Sequence, residues 1–253
     1  DVVNYFTLGY PTAAEKISEF VSLQYGLRST AYSHERIIVV ESMGMHTGWL
    51  ALASCMGNPD FIIIPEFPLD YELFKEQLAL RYERNKHVIV VIAEGARWKN
   101  GGFVSADEKD KDEFGHPRFK GAASILADRL KQDLKIRFDT RNLNAVNPSY
   151  LYRSGAPSKL DSDFAQKLGT KAVDMFAKGF DESILLTVQR NNNSFKLGRY
   201  PVKELRTIEE LHRFVDKTFY RENEYTATRE ARKYLAEIVE QIPRTEYGVN
   251  LKD

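Results

Sequence analysis

The sequence predicts an α/β protein, three-layered around a mostly parallel β-sheet, and three observations carry that prediction. Ile37–Val40, Phe61–Ile64 and Val88–Ile92 are short apolar runs without polar alternation, the pattern of strands buried on both faces. The segments between them, Gly48–Met56 and Asp70–Asn85, read as helices, so strand and helix alternate as they do in βαβ units. Hydrophobic residues make up 43% of the 253 positions, enough for the packed core of one large or two modest domains.

Taken in order, Pro11 opens a helix over Thr12–Gly26, with Ile17, Phe20 and Val21 on one face, proline in the first turn and glycine near the end. The three strands and two helices just named follow. Lys99–Gly115 then interrupts the pattern: glycines and a charged stretch, Asp107–Glu113, with almost no apolar content predict a surface loop. A helix is expected from Phe119 to about Leu134, a strand or loop through Asn144, and a helix over Asp161–Lys178. Ile184–Val188 closes the series of strands, and Thr207–Phe219 and Thr226–Ile242 read as polar helices opened by capping threonines. No internal repeat or low-complexity linker divides the chain.

Composition narrows the function classes. The 36 basic residues are matched by 36 acidic ones, so no overall field favours nucleic acid or an anionic membrane, and an anionic ligand would need a local cluster. The single cysteine, Cys55, excludes an intrachain disulfide and a multi-cysteine metal site; it reads as a buried structural thiol and fits a reducing, cytoplasmic setting. No apolar run approaches the roughly 18–20 residues that span a bilayer, and the N-terminus lacks the basic and apolar regions of a signal peptide. The chain opens at Asp1 with no element ahead of it, which predicts an incomplete chain.

Three segments could carry chemistry. Ser33-His34-Glu35-Arg36 leads into the first strand, and Glu41-Ser42-Met43-Gly44-Met45-His46-Thr47-Gly48-Trp49 leaves it. Ligands of open α/β sheets sit at the carboxyl ends of strands, where glycines let the backbone approach a phosphorylated ligand and the next helix offers unpaired N–H groups. By residue type alone, His46 is as well read as a packing or capping histidine as an acid or base. Glu94-Gly95 follows another buried strand, where a carboxylate can accept hydrogen bonds from sugar hydroxyls instead of being buried unpaired. Asn147-Pro148-Ser149-Tyr150-Leu151-Tyr152-Arg153 is a turn whose arginine could bind a phosphate through two parallel N–H bonds or serve as a surface ion-pair partner.

In content, order and spacing these segments resemble the phosphofructokinase family. Ser33 to Trp49 is similar to the family motif SSHxRxxVVEVMGRHAGW, Asn147–Arg153 to its DPSYMIR segment, and Tyr5–Ala13 to the stretch after its TIDND motif. The resemblance spans about residues 1–200. It implies a 6-phosphofructokinase that moves a phosphoryl group from ATP or pyrophosphate to the 1-hydroxyl of fructose 6-phosphate in glycolysis, with Mg2+ as cofactor. It further implies that Met43, Gly44 and Glu94 hold the sugar, that Arg153 binds its 6-phosphate with Tyr150 beside it, and that Arg36 reaches the substrate of a neighbouring subunit in a homo-oligomer. Asp1 aligns with the last aspartate of TIDND, a magnesium-associated catalytic position, while the family's catalytic base and its donor-binding glycine-rich motifs lie upstream.

The implied organisation is a fructose-6-phosphate domain over residues 1–150, a segment returning to the donor-binding domain over 151–200, and terminal helices over 201–253. Two departures stand out. Met45 occupies the place of an arginine that neutralises charge on the transferring group, and Asn144 stands where another basic residue is expected, with Arg141 nearby. The alternative they raise is a non-catalytic or regulatory phosphofructokinase-like subunit that keeps the sugar-phosphate pocket. A neutral-sugar-binding α/β module is a third class, which would bind sugar without a phosphate requirement.

Overall fold

The computed structural model of the protein describes residues 5–22, 26–111, 117–119, 121–180, 183–190, 194–204 and 214–239. Along the chain these form α1 (Tyr10–Val21), α2 (Leu27–Ser33), β1 (Ile37–Ser42), α3 (Trp49–Ala53), β2 (Phe61–Ile63), α4 (Tyr71–Asn85), β3 (Val88–Ala93), β4 (Ala106–Lys111) and β5 (Pro117–Phe119). They continue through α5 (Ala122–Leu134), β6 (Leu143–Val146), α6 (Lys159–Ala177), β7 (Ile184–Arg190), β8 (Phe195–Pro201), β9 (Tyr220–Arg221), β10 (Thr226–Ala227) and α7 (Arg229–Leu235).

The main sheet runs β2-β3-β1-β6 with every pair parallel, Ile37 standing opposite both Val88 and Leu143. Its side chains alternate between two cores, which is why β2, β3 and the first four residues of β1 carry no polar residue to mark a face. Ile38, Val40, Ile62, Ile89 and Val91 meet Ile17, Trp49, Leu52 and Tyr234 on one side. Ile37, Val39, Phe61, Ile63, Val88 and Val90 meet Phe74, Leu78, Leu126 and Leu130 on the other. Helices α1, α3 and α7 thus cover one face and α4 and α5 the other, the three-layer arrangement expected from the strand–helix alternation. Each fully buried aliphatic or aromatic side chain contributes about 1.5–3 kcal/mol of transfer free energy to holding these layers together.

Four expectations are corrected. The first helix stops at Val21 rather than Gly26: the Ser22 N–H and hydroxyl both donate to the Glu19 carbonyl and close the helix, and Gly26 precedes the separate helix α2. Within the expected loop Lys99–Gly115, Ala106–Lys111 is a strand paired antiparallel with β5. A ribbon outside the main sheet needs only backbone partners, so it has no apolar alternation to betray it.

Ile184–Val188 does not extend the parallel sheet. It lies in β7, which pairs antiparallel with β8, and its buried Val188 joins Phe6 and Phe164 in a small third core. The two C-terminal helices change most. Residues 214–219 are not helical, and the rest of the first expected helix lies outside the described residues. Thr226 sits in a strand pair with Arg221, and the helix begins only at Arg229, where Thr228 Oγ1 accepts the Ala231 N–H at 3.2 Å.

Candidate functional site

All four strands of the main sheet end on one edge, and the loops that follow them converge there. The loops after β1 and β3 are joined directly. The Gly44 N–H donates to Glu94 Oε1 at 3.0 Å, the Glu94 N–H to the Ser42 carbonyl at 2.9 Å, and the Gly95 N–H to the Gly44 carbonyl at 3.1 Å. The approach is so close that a Cβ on Gly95 would overlap the Met45 carbonyl, so glycine is required there. Met43 is half-buried and packs against the core behind this junction. Met43, Gly44 and Glu94, 50 residues apart in sequence at the Gly44–Glu94 contact, therefore form one group.

The turn carrying Tyr150 and Arg153 is a single 3-10 turn, Ser149–Arg153. Both side chains are exposed, with the guanidinium 5.3 Å from the Tyr150 ring centre. The buried Tyr152 between them donates its hydroxyl to the Glu41 carbonyl at 3.2 Å, and Asn147 Nδ2 donates to Glu41 Oε1 at 2.9 Å. These two bonds bring the turn to the carboxyl end of β1.

Arg36 is not part of this group. It precedes β1, at the sheet's opposite edge, and donates from Nη1 to Thr30 Oγ1 at 2.6 Å. A six-residue strand at about 3.3 Å per residue puts roughly 20 Å between it and Gly44. Arg141 likewise precedes β6, where it is exposed and ion-paired with Asp139 at 2.6 Å. Asp1 lies outside the described residues.

Beside the β1–β3 junction is a cleft of about 410 Å³ lined by Met45, His46, Pro65, Glu66, Arg97 and Phe214. The Glu66 carboxylate is a structural element of its wall. It accepts the Gly48 N–H at 2.9 and 3.0 Å and the Val215 N–H at 3.0 Å, tying the start of α3 to the 214–215 segment. Burial raises its carboxyl above the usual range, against the opposing effect of those N–H donors. The Arg97 guanidinium sits over the Phe103 ring, 4.1 Å from its centre.

Glu41, Asn147 and Arg97 are residues to which the sequence assigned no role. A signal existed for Glu41, since an acidic side chain at the end of an otherwise apolar, doubly buried strand has to find partners. Nothing comparable marks Arg97, whose position depends on how the loop after β3 folds. Among the described residues no group of three or more His, Cys, Asp or Glu side chains could hold a metal ion.

The sequence matches the phosphofructokinase family over residues 2–176. It is 37% identical over 217 residues to a pyrophosphate–fructose 6-phosphate 1-phosphotransferase of Dictyoglomus thermophilum, covering 85% of this chain and 58% of that protein. An ATP-dependent 6-phosphofructokinase of Mycobacterium bovis is 34% identical over 201 residues, covering 78% of this chain and 54% of that one. The fold is similar to that of a pyrophosphate-dependent phosphofructokinase from Nitrosospira multiformis, with a TM-score of 0.73 at 22% identity, covering 99% of this chain and 60% of that chain. The chain spans about half the length of the curated relatives it matches.

Proposed function

Because the chain belongs to the phosphofructokinase family, we propose that it supplies the sugar-phosphate half of a 6-phosphofructokinase, the enzyme that phosphorylates the 1-hydroxyl of fructose 6-phosphate. The observation that carries the reading is the Gly44–Glu94 contact at the sheet's carboxyl edge, with the Arg153 turn tied to the same strand end. On this reading Glu94 is oriented by the Gly44 N–H and accepts a sugar hydroxyl, the Met43–Gly44 backbone lies along the sugar, and Arg153 grips the 6-phosphate through its planar pair of N–H groups. Tyr150 walls the phosphate end. The chain's contribution to phosphoryl transfer is then to hold the acceptor in place, which together with charge neutralisation is most of what such a reaction asks of a protein.

The donor is ATP or pyrophosphate; curated relatives of both kinds match. Donor, catalytic base and Mg2+ would be held by the upstream part that the chain does not span, with residues 1–150 as the sugar-phosphate domain and 151–200 as the segment joining it to that part. Arg36, roughly 20 Å from its own chain's site, can meet a sugar phosphate only in another copy, which supports a homo-oligomer. A cytoplasmic enzyme of glycolysis fits, and no helix among the described residues is long and apolar enough to cross a membrane.

Calorimetric titration of the chain with fructose 6-phosphate, beside plain fructose and the Arg153→Ala variant, tests the proposal. Binding that needs both the phosphate and Arg153 is expected; equal binding of both sugars would replace it with the neutral-sugar reading. Met45, exposed on the wall of the cleft where the motif has arginine, favours a second reading, a binding subunit without turnover. Assay of the full-length protein for fructose 1,6-bisphosphate formation separates the two.

A further inference from the structure

We propose that Glu41 is a positioning residue: from the end of β1 it fixes the Asn147–Arg153 turn against the sheet, so that Arg153 and Tyr150 stand beside Gly44 and Glu94. The inference rests on the sugar-phosphate reading for its functional consequence, but its geometry stands independently. Glu41 is the penultimate residue of β1 and only 7% exposed. Its side chain and carbonyl hold two other elements, the turn and α5, through three hydrogen bonds. Oε1 accepts from Asn147 Nδ2 at 2.9 Å, Oε2 accepts the Ala123 N–H at the start of α5 at 3.0 Å, and the carbonyl accepts the Tyr152 hydroxyl at 3.2 Å.

Room for the carboxylate is made by Gly121, which holds φ +89° and whose added Cβ would lie 2.8 Å from Oε2. Burial raises the Glu41 carboxyl above its usual range, opposed by the Ala123 N–H, with the nearby Glu94 charge raising it further. A buried carboxylate with each oxygen assigned to a different element is a rigid joint, because moving either element leaves a buried charge unsatisfied. Beyond Glu41 the turn is anchored through Tyr152, whose ring meets Phe20 of α1 edge-on with centres 6.1 Å apart. Tyr150, Leu151 and Arg153 are exposed, and only Tyr152 reaches the core. Without the Glu41 carboxylate the 3-10 turn keeps its internal bonds, Leu151 N–H to the Pro148 carbonyl at 3.0 Å and Ser154 N–H to Leu151 at 3.4 Å, and the Tyr152 bond to the residue-41 carbonyl, but loses the Asn147 link that fixes its start on the strand.

The test compares wild type with Glu41→Gln, Glu41→Ala and Tyr152→Phe by hydrogen exchange, thermal unfolding and fructose 6-phosphate titration. The expected result is exchange of the 149–154 amides at least tenfold faster in Glu41→Ala, with fructose 6-phosphate affinity at least tenfold lower. Glu41→Gln should lie between, since it keeps one acceptor oxygen. Tyr152→Phe removes one tether without touching the carboxylate, and should speed the same amides severalfold even if Glu41→Ala fails to fold. Unchanged exchange over 149–154 alongside a lowered melting temperature would overturn the proposal, leaving Glu41 a core residue only. Wild type that binds no fructose 6-phosphate would instead count against the proposed function, and the exchange data would still decide whether Glu41 holds the turn.

Discussion

Replacing Asp161 should unfasten α1 from α6, although the residue lies about 150 positions from its partners in the sequence. α1 begins after Gly9, which offers no side-chain cap, so its first N–H groups need an outside acceptor. Asp161, 4% exposed in the first turn of α6, is that acceptor. Its Oδ1 receives the Gly9 N–H at 2.7 Å, its Oδ2 receives the Thr12 N–H at 2.9 Å, and the Thr12 hydroxyl also donates to Oδ2.

Hydrogen bonds to a charged acceptor are worth about 1.5–3 kcal/mol each, and loss of a helix cap costs about 1 kcal/mol. Gly9 is exposed and Thr12 half-buried, so water recovers part of the loss. The net cost of Asp161→Ala is therefore about 2–3 kcal/mol. At about 2–4 °C per kcal/mol for a chain of this size, the melting temperature should drop by about 4–12 °C. Asp161→Asn keeps one acceptor oxygen and should lose about half as much. Urea unfolding of the three proteins, with exchange rates at Gly9 and Thr12, measures both effects. A change in stability within about 0.5 kcal/mol of wild type, the range of an ordinary surface substitution, would refute the cross-helix cap.

Other expectations follow from the same physics. Arg28 and Asp60 form an ion pair at 3.0 Å with both side chains buried, and Asp60 also accepts the Ile89 N–H. Arg28→Met removes the nearer, buried cation and leaves Asp60 with the half-exposed Arg81 at 3.9 Å and the Ile89 N–H, and should cost about 3–5 kcal/mol in urea unfolding; a loss below about 1 kcal/mol would mean that these partners suffice. Gly95→Ala forces the loops after β1 and β3 apart, with an expected overpacking cost of about 1–3 kcal/mol and weakened fructose 6-phosphate binding, and wild-type affinity in the variant would argue against the junction as part of the site.

Glu66, raised by burial above the ordinary glutamate value of 4.5, binds its proton more tightly folded than unfolded. Its contribution is fully present below about that pH and is lost as pH rises through the folded value. The stability of wild type relative to Glu66→Gln should accordingly fall with rising pH; a difference that grows with pH would show the opposite sign of shift.

How much was legible in the sequence depended on whether the cause was local. Doubly buried strands must be apolar at every position, so Ile37–Val40, Phe61–Ile64 and Val88–Ile92 announced the parallel sheet, and with it the edge where Gly44 and Glu94 meet. The capping asparate of α4 is local in the same way, Asp70 Oδ1 accepting the Leu73 N–H at 3.2 Å. The β4–β5 ribbon was not announced, nor was the antiparallel pairing of β7, itself read as a strand, with β8, because backbone pairing between short segments places little demand on side chains.

The C-terminal segment misled for a related reason. Thr226 and Thr228 are equally good caps by residue type, and the pairing of β9 with β10 selects the second. Local pattern in the sequence was enough for the layered fold, the family and the chemical types gathered at the sheet edge. Which of those residues meet came from tertiary packing: that Glu94 holds Gly44, that Asp161 caps a helix 152 residues away along the chain, that Glu41 joins three elements, and that Arg36 stands about 20 Å away. Such choices rest on hydrogen bonds between groups far apart along the chain, whose partners are specified by packing and topology and leave no periodic trace in sequence.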